Sequence, residues 1–304
     1  MTDLRFDGRV AVVTGAGRGL GRAYARLLAS LGARVVVNDV GGSLTGDGAD
    51  AGPAHAVVDE IVAAGGAAVP STDSVATPGG GRAIVDTARD RFGGIDILVH
   101  NAGTVRRGAL RDMSYADFDA VLDVHLRGAF HVVRPAFPLM CDNGYGRIVL
   151  TSSIGGLYGN HDVANYAVAK VGVIGLSNVA ALEGAAHNVT SNVIVPAAVT
   201  RMAEGIDTSA YPPMGPELVA PAVGWLAHES CSVTGEIFIA LAGRIARAVI
   251  AETPGVYQPS WTIGEVGARI DEIRDFTDPL VFPAVPSGHN DHIGYSFARS
   301  AAHA

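Results

Sequence analysis

The chain has 304 residues, of which 22 are Lys or Arg and 30 Asp or Glu, so its formal net charge is −8, and 48% of it is apolar. Charges of both signs are mixed along the whole length, which leaves no electrostatic footprint for a polyanion and argues against nucleic acid or an anionic membrane as the main partner. No stretch approaches the roughly 18 uninterrupted apolar residues of a spanning helix.

No apolar signal region opens the sequence, and two cysteines, Cys141 and Cys231, build neither a disulfide framework nor a zinc site. The last residues, Ala302, His303 and Ala304, do not resemble a peroxisomal address. A soluble protein of the reducing cytoplasm is expected. Among the 22 basic residues only Lys170 is a lysine, which points to a place where an ammonium rather than a planar guanidinium is required.

The first predicted strand, 9–14, runs into Thr14, Gly15, Ala16, Gly17, Arg18, Gly19, Leu20 and Gly21, and a helix follows over 21–31. Glycines at Gly15, Gly19 and Gly21 let the backbone turn tightly and approach a pyrophosphate, whose charge the helix N-terminus attracts. The second strand, 34–39, ends on Asp39, 20 residues beyond Gly19, where a carboxylate accepts hydrogen bonds from adenosine ribose hydroxyls and repels the 2′-phosphate of NADP. Arg18 is the counter-signal, since it could neutralise that phosphate. Asp39 lies against the discriminating hydroxyl itself, so NAD is the expected cofactor.

A Gly-rich loop over 41–52 comes next, then a helix at 54–64, a strand at 67–70, a helix at 81–92 and a strand at 95–100. One long helix is predicted over 115–137, followed by a strand at 147–152, a helix at 165–186, a strand at 189–195, a helix at 217–228 and a strand at 236–240. Strands and helices alternating in this way imply right-handed βαβ crossovers and a doubly wound α/β fold, its parallel sheet covered on both faces. One domain is expected over 1–243. The extension over 244–304, with a helix at 263–276 opened by a Thr262-Glu265 capping box, is expected to cover the substrate cleft or a neighbouring subunit.

Tyr166 and Lys170 stand four residues apart in an Ala-rich helical segment and share one face. Ser153 lies 13 residues before Tyr166, at a strand end that borders the ligand crevice. A tyrosine with a pKa of about 10 works near neutral pH only beside a cation that favours its phenolate, and Lys170 is that cation. Ser153 would bind the substrate oxygen, and Tyr166 would take or give the proton.

Together, the glycine turn, Asn101-Ala102-Gly103, Ser153 and Tyr166 to Lys170, in this order, resemble the short-chain dehydrogenase/reductase family over about residues 5–243. The resemblance implies a seven-stranded Rossmann sheet and a Ser-Tyr-Lys mechanism. It also implies that Asp73 and Ser74 border the adenine, that Asn101, Ala102 and Gly103 line the cofactor, and that Pro196 to Thr200 close over the nicotinamide. A homo-oligomer with helix pairs packed across a two-fold axis, a dimer or tetramer, is implied as well.

Within the family, Asn38-Asp39, the segment Val124 to Gly128, Tyr158-Gly159-Asn160, Asn165-Tyr166, Thr200 to Met202 and Leu226 to Ser230 are similar to the (3R)-hydroxyacyl-CoA dehydrogenase part of type 2 peroxisomal multifunctional enzymes. This implies NAD-dependent oxidation of a (3R)-3-hydroxyacyl-CoA, with a hydroxysteroid or steroid side-chain CoA as the alternative substrate and an idle NAD-binding sensor as the distant one. His125 stands where most of the family has Asn, in a proton relay that uses a backbone carbonyl. Ala197 replaces the usual Gly after Pro196. No counterpart of the hydratase or sterol-carrier parts occurs in the 304 residues, so hydration is expected of another protein. Residues 200–216 read as a lid over an apolar substrate, and Arg106, Arg107 and Arg111 as either a solvated loop or contacts for CoA phosphates.

Overall fold

Five strands have largely apolar middles and finish on a polar residue, Ser71, Asn38, Thr14, His100 or Thr151. The computed structural model, which describes residues 4–200 and 211–301, places those polar ends side by side. Strands β1 (Val10–Thr14), β2 (Arg34–Asn38), β3 (Ala67–Ser71), β4 (Ile97–His100), β5 (Gly146–Thr151), β6 (Val189–Ala197), β7 (Ile237–Leu241) and β8 (Arg244–Ala248) form one sheet in the order β3-β2-β1-β4-β5-β6-β7-β8. Strands β1 to β7 pair in parallel, in a register that sets Thr14 opposite both Asn38 and His100. Strand order reverses between β1 and β4, and in such sheets the ligand crevice opens at the carboxyl ends of the strands beside that point.

Helices α1 (Gly19–Ser30), α2 (Gly52–Ala63) and α8 (Ala220–Leu226) cover one face, and α3 (Pro78–Phe92), α5 (Gly128–Asp142) and α7 (Ala164–Gly184) the other. The strands read as nearly continuous apolar runs because both of their faces are buried: Val13, Val35 and Val99 pack with Tyr24 and Leu28 on one side, Val12, Val36 and Leu98 with Ile84 and Met140 on the other. Two short helices, α4 (Tyr115–Leu122) and α6 (Ile154–Tyr158), complete this part of the chain.

The sheet has eight strands where the family resemblance implies seven. Strand β8 follows β7 after Ala242 and Gly243, both at positive φ, a two-residue connection that only an antiparallel hairpin accommodates. The helix expected over 115–137 is interrupted by a π-helical turn at Asp123–Arg127. The helices expected at 217–228 and 263–276 are shorter or broken, the latter into α9 (Ile263–Ala268) and α10 (Ile270–Ile273), with the Thr262-Glu265 capping box intact. A final helix, α11 (Gly288–Ala301), has no counterpart among the expected elements.

Helix α7 with its 3-10 continuation, Ala164–His187, is long and apolar enough to cross a membrane by length and composition alone, although polar residues interrupt it and 44% of its most apolar window is buried. It packs on β6 and α4 and carries Tyr166 and Lys170. The chain divides into two compact units, Met1–Arg247 and Ala248–Ala304. In the second, Glu252 and Leu280 form a backbone bridge, Thr253 Oγ1 donates to the Ile273 carbonyl, and Phe282 stacks edge-on against His292 and Tyr295.

Candidate active site

Strand β5 ends by gripping α7. Lys170 Nζ donates to the Thr151 carbonyl at 2.7 Å, and Ser152 Oγ donates to the Lys170 carbonyl at 2.6 Å. Ser153 caps α6, its Oγ accepting from Gly155 N at 3.1 Å. Gly156 in the same short helix leaves room for α7, since a Cβ there would stand 2.8 Å from Lys170 Cβ.

Asn165 is fully buried and anchors the start of α7. Its Nδ2 donates to the Arg106 and Asp117 carbonyls at 3.0 and 3.1 Å, and its Oδ1 accepts from Tyr166 N at 2.7 Å. Tyr166 and Lys170 project from one face of α7, with the Lys170 ammonium 5.6 Å from the tyrosine ring centre.

Burial governs the electrostatics. It pushes the Tyr166 hydroxyl up, and a hydrogen bond from Ser153 partly offsets the effect by favouring the phenolate. The same burial draws Lys170 down to about 7, because an ammonium loses hydration there and, among the described residues, gains the Thr151 carbonyl as its hydrogen-bond acceptor. His125 lies in the π-turn, 1% exposed, its ring edge-on to Tyr166 at 5.1 Å and Nε2 against both the N–H (2.9 Å) and the carbonyl (2.7 Å) of Thr104. Burial holds it neutral, and among the described residues its Nδ1 has no partner.

Beside this group opens a cleft of about 350 Å³ that collects Gly15, Arg18, Gly19, Leu20, Asp39, Asp73, Ser74, Asn101, Ala102, Gly103 and Thr200. Gly21 serves it from behind: a Cβ there would lie 2.1 Å from the Gly15 carbonyl oxygen, so only glycine lets α1 start this close to the turn. Asp39 accepts from Gly17 N at 2.8 Å with one oxygen and from Gly41 N at 2.7 Å with the other. Each carboxylate oxygen retains acceptor capacity for a ribose hydroxyl. The glycine turn, the helix start behind it and this acid are the donors and acceptors a nicotinamide dinucleotide requires, so the residues fit that cofactor.

The short chain dehydrogenase family model matches residues 9–209, most of the first unit. The chain belongs to that family.

Among similar proteins, the type 2 peroxisomal multifunctional enzyme of Drosophila melanogaster is 49% identical over 84% of this dehydrogenase and 43% of its own length. The dehydrogenase thus spans less than half of that relative. A hydroxyacyl-CoA dehydrogenase of Mycobacterium tuberculosis is 41% identical over 78% of each chain. The solved structure of the full-length Drosophila enzyme superposes with a TM-score of 0.80 and 38% identity over 99% of this chain and 51% of that one.

Of the residues expected to touch the cofactor, Gly21, Tyr166, Lys170 and Pro196 do not line the cleft. Pro196 lies within β6, opposite Ala240, and outside the lining of the cleft. The Arg106 guanidinium is committed to the Thr45 carbonyl, Asp47 and Asp117 at 2.9 to 3.1 Å, so it pins the Gly-rich loop to α4 rather than awaiting a phosphate. Arg111 pairs with Asp112, and Arg107 is exposed. Of the expected lid, residues 201–210 lie outside the described residues, Met202 among them.

Several further residues serve the site. The Gly-rich loop lines the cleft through Gly42, Ser43, Leu44, Gly46 and Gly48, docked by Val105 N donating to the Leu44 carbonyl. Buried Asn38 holds Asp73 in place by donating to its carbonyl at 2.9 Å. For Asn38 the available signals were the subgroup motif Asn38-Asp39 and its position at the end of a Val run. A larger groove, about 770 Å³ on the outer side of α1, shares Gly19 with the cleft but holds neither Asp39, Asp73 nor Asn101.

Proposed function

We propose that this dehydrogenase oxidises a (3R)-3-hydroxyacyl-CoA to the 3-oxoacyl-CoA with NAD. The observation that carries the reading is the convergence of Ser153, Tyr166 and Lys170 at the end of β5 beside a cleft holding Asp39. The thioester class follows from the mycobacterial relative named a hydroxyacyl-CoA dehydrogenase. The R configuration rests on the subgroup motifs of the sequence. The choice of NAD rests on the Asp39 carboxylate, which a 2′-phosphate would face at close range.

When bound, the nicotinamide ring supplies the hydride acceptor. The chain supplies the rest. Ser153 and Tyr166 receive the substrate hydroxyl between them, and Tyr166 as phenolate takes its proton while the Lys170 charge and the Ser153 hydrogen bond stabilise that phenolate. In its resting, buried state the tyrosine keeps its proton, and a charged Lys170 beside the ring would favour its release. His125, packed against the ring, fixes its orientation. The Gly-rich loop pinned by Arg106 lines the cofactor side of the cleft.

The same reading assigns a cytoplasmic location, consistent with two free cysteines, and a homo-oligomeric state. The test is NADH formation from a medium-chain (3R)-3-hydroxyacyl-CoA, its (3S) epimer and a 17β-hydroxysteroid side by side. Turnover confined to the (3R) thioester is expected; turnover of the steroid alone would replace the substrate class and leave the site roles standing. Asp39→Ala is expected to raise NADP-dependent relative to NAD-dependent turnover at least tenfold, roughly the effect of about 1.4 kcal/mol, and a wild type already preferring NADP would overturn the cofactor assignment.

A further inference from the structure

His100 closes β4, 1% exposed, and bonds through both ring nitrogens. Its Nδ1 lies 3.0 Å from Thr14 Oγ1, and its Nε2 lies 3.3 Å from the His125 carbonyl oxygen. The tautomer follows from what Thr14 already does. Thr14 Oγ1 accepts from Asn101 N and Ala102 N, both at 3.2 Å, which uses its two lone pairs and leaves its proton to donate to His100 Nδ1. Nε2 therefore carries the hydrogen of a neutral imidazole and donates to the His125 carbonyl.

That carbonyl belongs to the π-turn, where one extra residue per turn leaves backbone groups without their regular helical partners. The His125 ring, on the far side of the same residue, stands edge-on to Tyr166. Gly103 faces it closely enough that a Cβ would lie 2.4 Å from His125 Cε1. A continuous path thus runs from the backbone of the cofactor-lining turn, through the Thr14 hydroxyl and the His100 imidazole, to the turn that backs the catalytic tyrosine.

We propose that His100 is a positioning residue, a neutral strut whose Nδ1 side sets the cofactor-lining turn through Thr14 and whose Nε2–H sets the π-turn, and with it Tyr166, through the His125 carbonyl. A histidine suits the place because its two nitrogens act in opposite senses, acceptor and donor, and span the gap between β1 and the helix. Neutrality is part of the role. Burial and the nearby Lys170 charge both hold the ring unprotonated, with a pKa of about 3, so it adds no cation to compete with the one that Tyr166 needs. The strut rests on the proposed Ser-Tyr-Lys chemistry and is independent of which alcohol is oxidised.

The two halves separate experimentally. An asparagine amide stands near the Nδ1 position and a glutamine amide near the Nε2 position. His100→Asn, which keeps a partner for Thr14 and drops the carbonyl contact, is expected to lower kcat about tenfold, the effect of one lost hydrogen bond, with the Kd for NADH by fluorescence titration within about twofold. His100→Gln, which keeps a donor for the carbonyl, is expected to recover most of that kcat and to weaken NADH binding about tenfold instead.

Nitrogen-15 NMR of the histidine-labelled full-length protein at pH 7, with His100 assigned by its loss in the variant, is expected to show the neutral Nε2–H tautomer. Equal losses of kcat and NADH affinity in both variants, no loss in either, or an Nδ1–H or doubly protonated ring would overturn the strut. A wild type that turns over no 3-hydroxyacyl-CoA while the tautomer and NADH arms hold is a failure of the proposed substrate, and leaves the strut intact.

Discussion

Lys170 is a cation placed where a cation is costly: its ammonium is buried, and the described groups that meet it are carbonyl oxygen and the tyrosine ring. With a folded-state pKa of about 7 against 10.5 for the free side chain, the lysine is charged in both folded and unfolded states below about pH 7, so the burial cost is then fully present. As pH rises from about 7 toward 10.5, the folded protein sheds the proton more readily than the unfolded chain, and that cost is relieved. Lys170→Met is therefore expected to gain most in melting temperature over the wild type at pH 6, with the difference narrowing toward pH 9 while activity is lost throughout. Paired thermal melts across this range check it, and a difference that widens with pH would contradict it.

At this scale the sequence made Ser153, Tyr166 and the glycines legible because their spacing is set by one strand end and one helix face. His100 stayed silent because its partners His125 and Thr14 are 25 and 86 residues away in sequence, and the role of Arg106 because two of its three partners are 59 and 61 residues away. Only the fold brings such groups together.

The elements obey local rules, except where tertiary contacts override them. Helix α1 begins one close contact from the turn before it, and the Gly21 position alone permits that approach. Gly21→Ala is expected to cost about 1–3 kcal/mol through overpacking against backbone and to abolish NADH binding. Gly79→Ala in α3, where a Cβ would meet nothing within 4 Å, is expected to be neutral or slightly stabilising. Melting curves and NADH fluorescence on the pair check this; equal behaviour of the two would show that the close approach is not what the glycine provides.

The seven parallel strands were readable as apolar runs because burial on both faces imposes that pattern. Strand β8 was not, since Arg244, Ile245, Ala246, Arg247 and Ala248 include two arginines, and the pairing depends on the turn at Ala242-Gly243. The π-turn leaves no periodic trace either. It is held by contacts of His125 with Thr104, Gly103 and His100, all far from it in sequence.

For the whole molecule, the exposed side of α7 is the feature that remains to be covered. Val168, Val171, Val179 and Leu182 recur at spacings of three, eight and three along it, one stripe of a helix, each 38% to 50% exposed. Gly175 sits between them in open space, and Phe130 on α5 is half exposed. Such a stripe explains both the membrane-like composition of the helix and the proposed homo-oligomer, in which a second copy would supply the missing apolar surface. The double variant Val171→Asp, Val179→Asp is expected to sediment as a monomer while the wild type sediments as a dimer or tetramer. A monomeric wild type would remove the oligomer from the account.

The central claim, that Tyr166 handles the substrate proton in a site whose cofactor cleft is built separately, is tested most directly by Tyr166→Phe. NADH binding and turnover of the (3R)-3-hydroxyacyl-CoA are measured on the same preparation. The phenol oxygen is the atom removed, and the cleft formed by the glycine turn and Asp39 is untouched. Turnover is expected to fall by about 10²–10⁴-fold, the scale of a lost general base, with the Kd for NADH unchanged within about twofold. Turnover that stays within about threefold of the wild type, or activity and NADH affinity lost together, would contradict it.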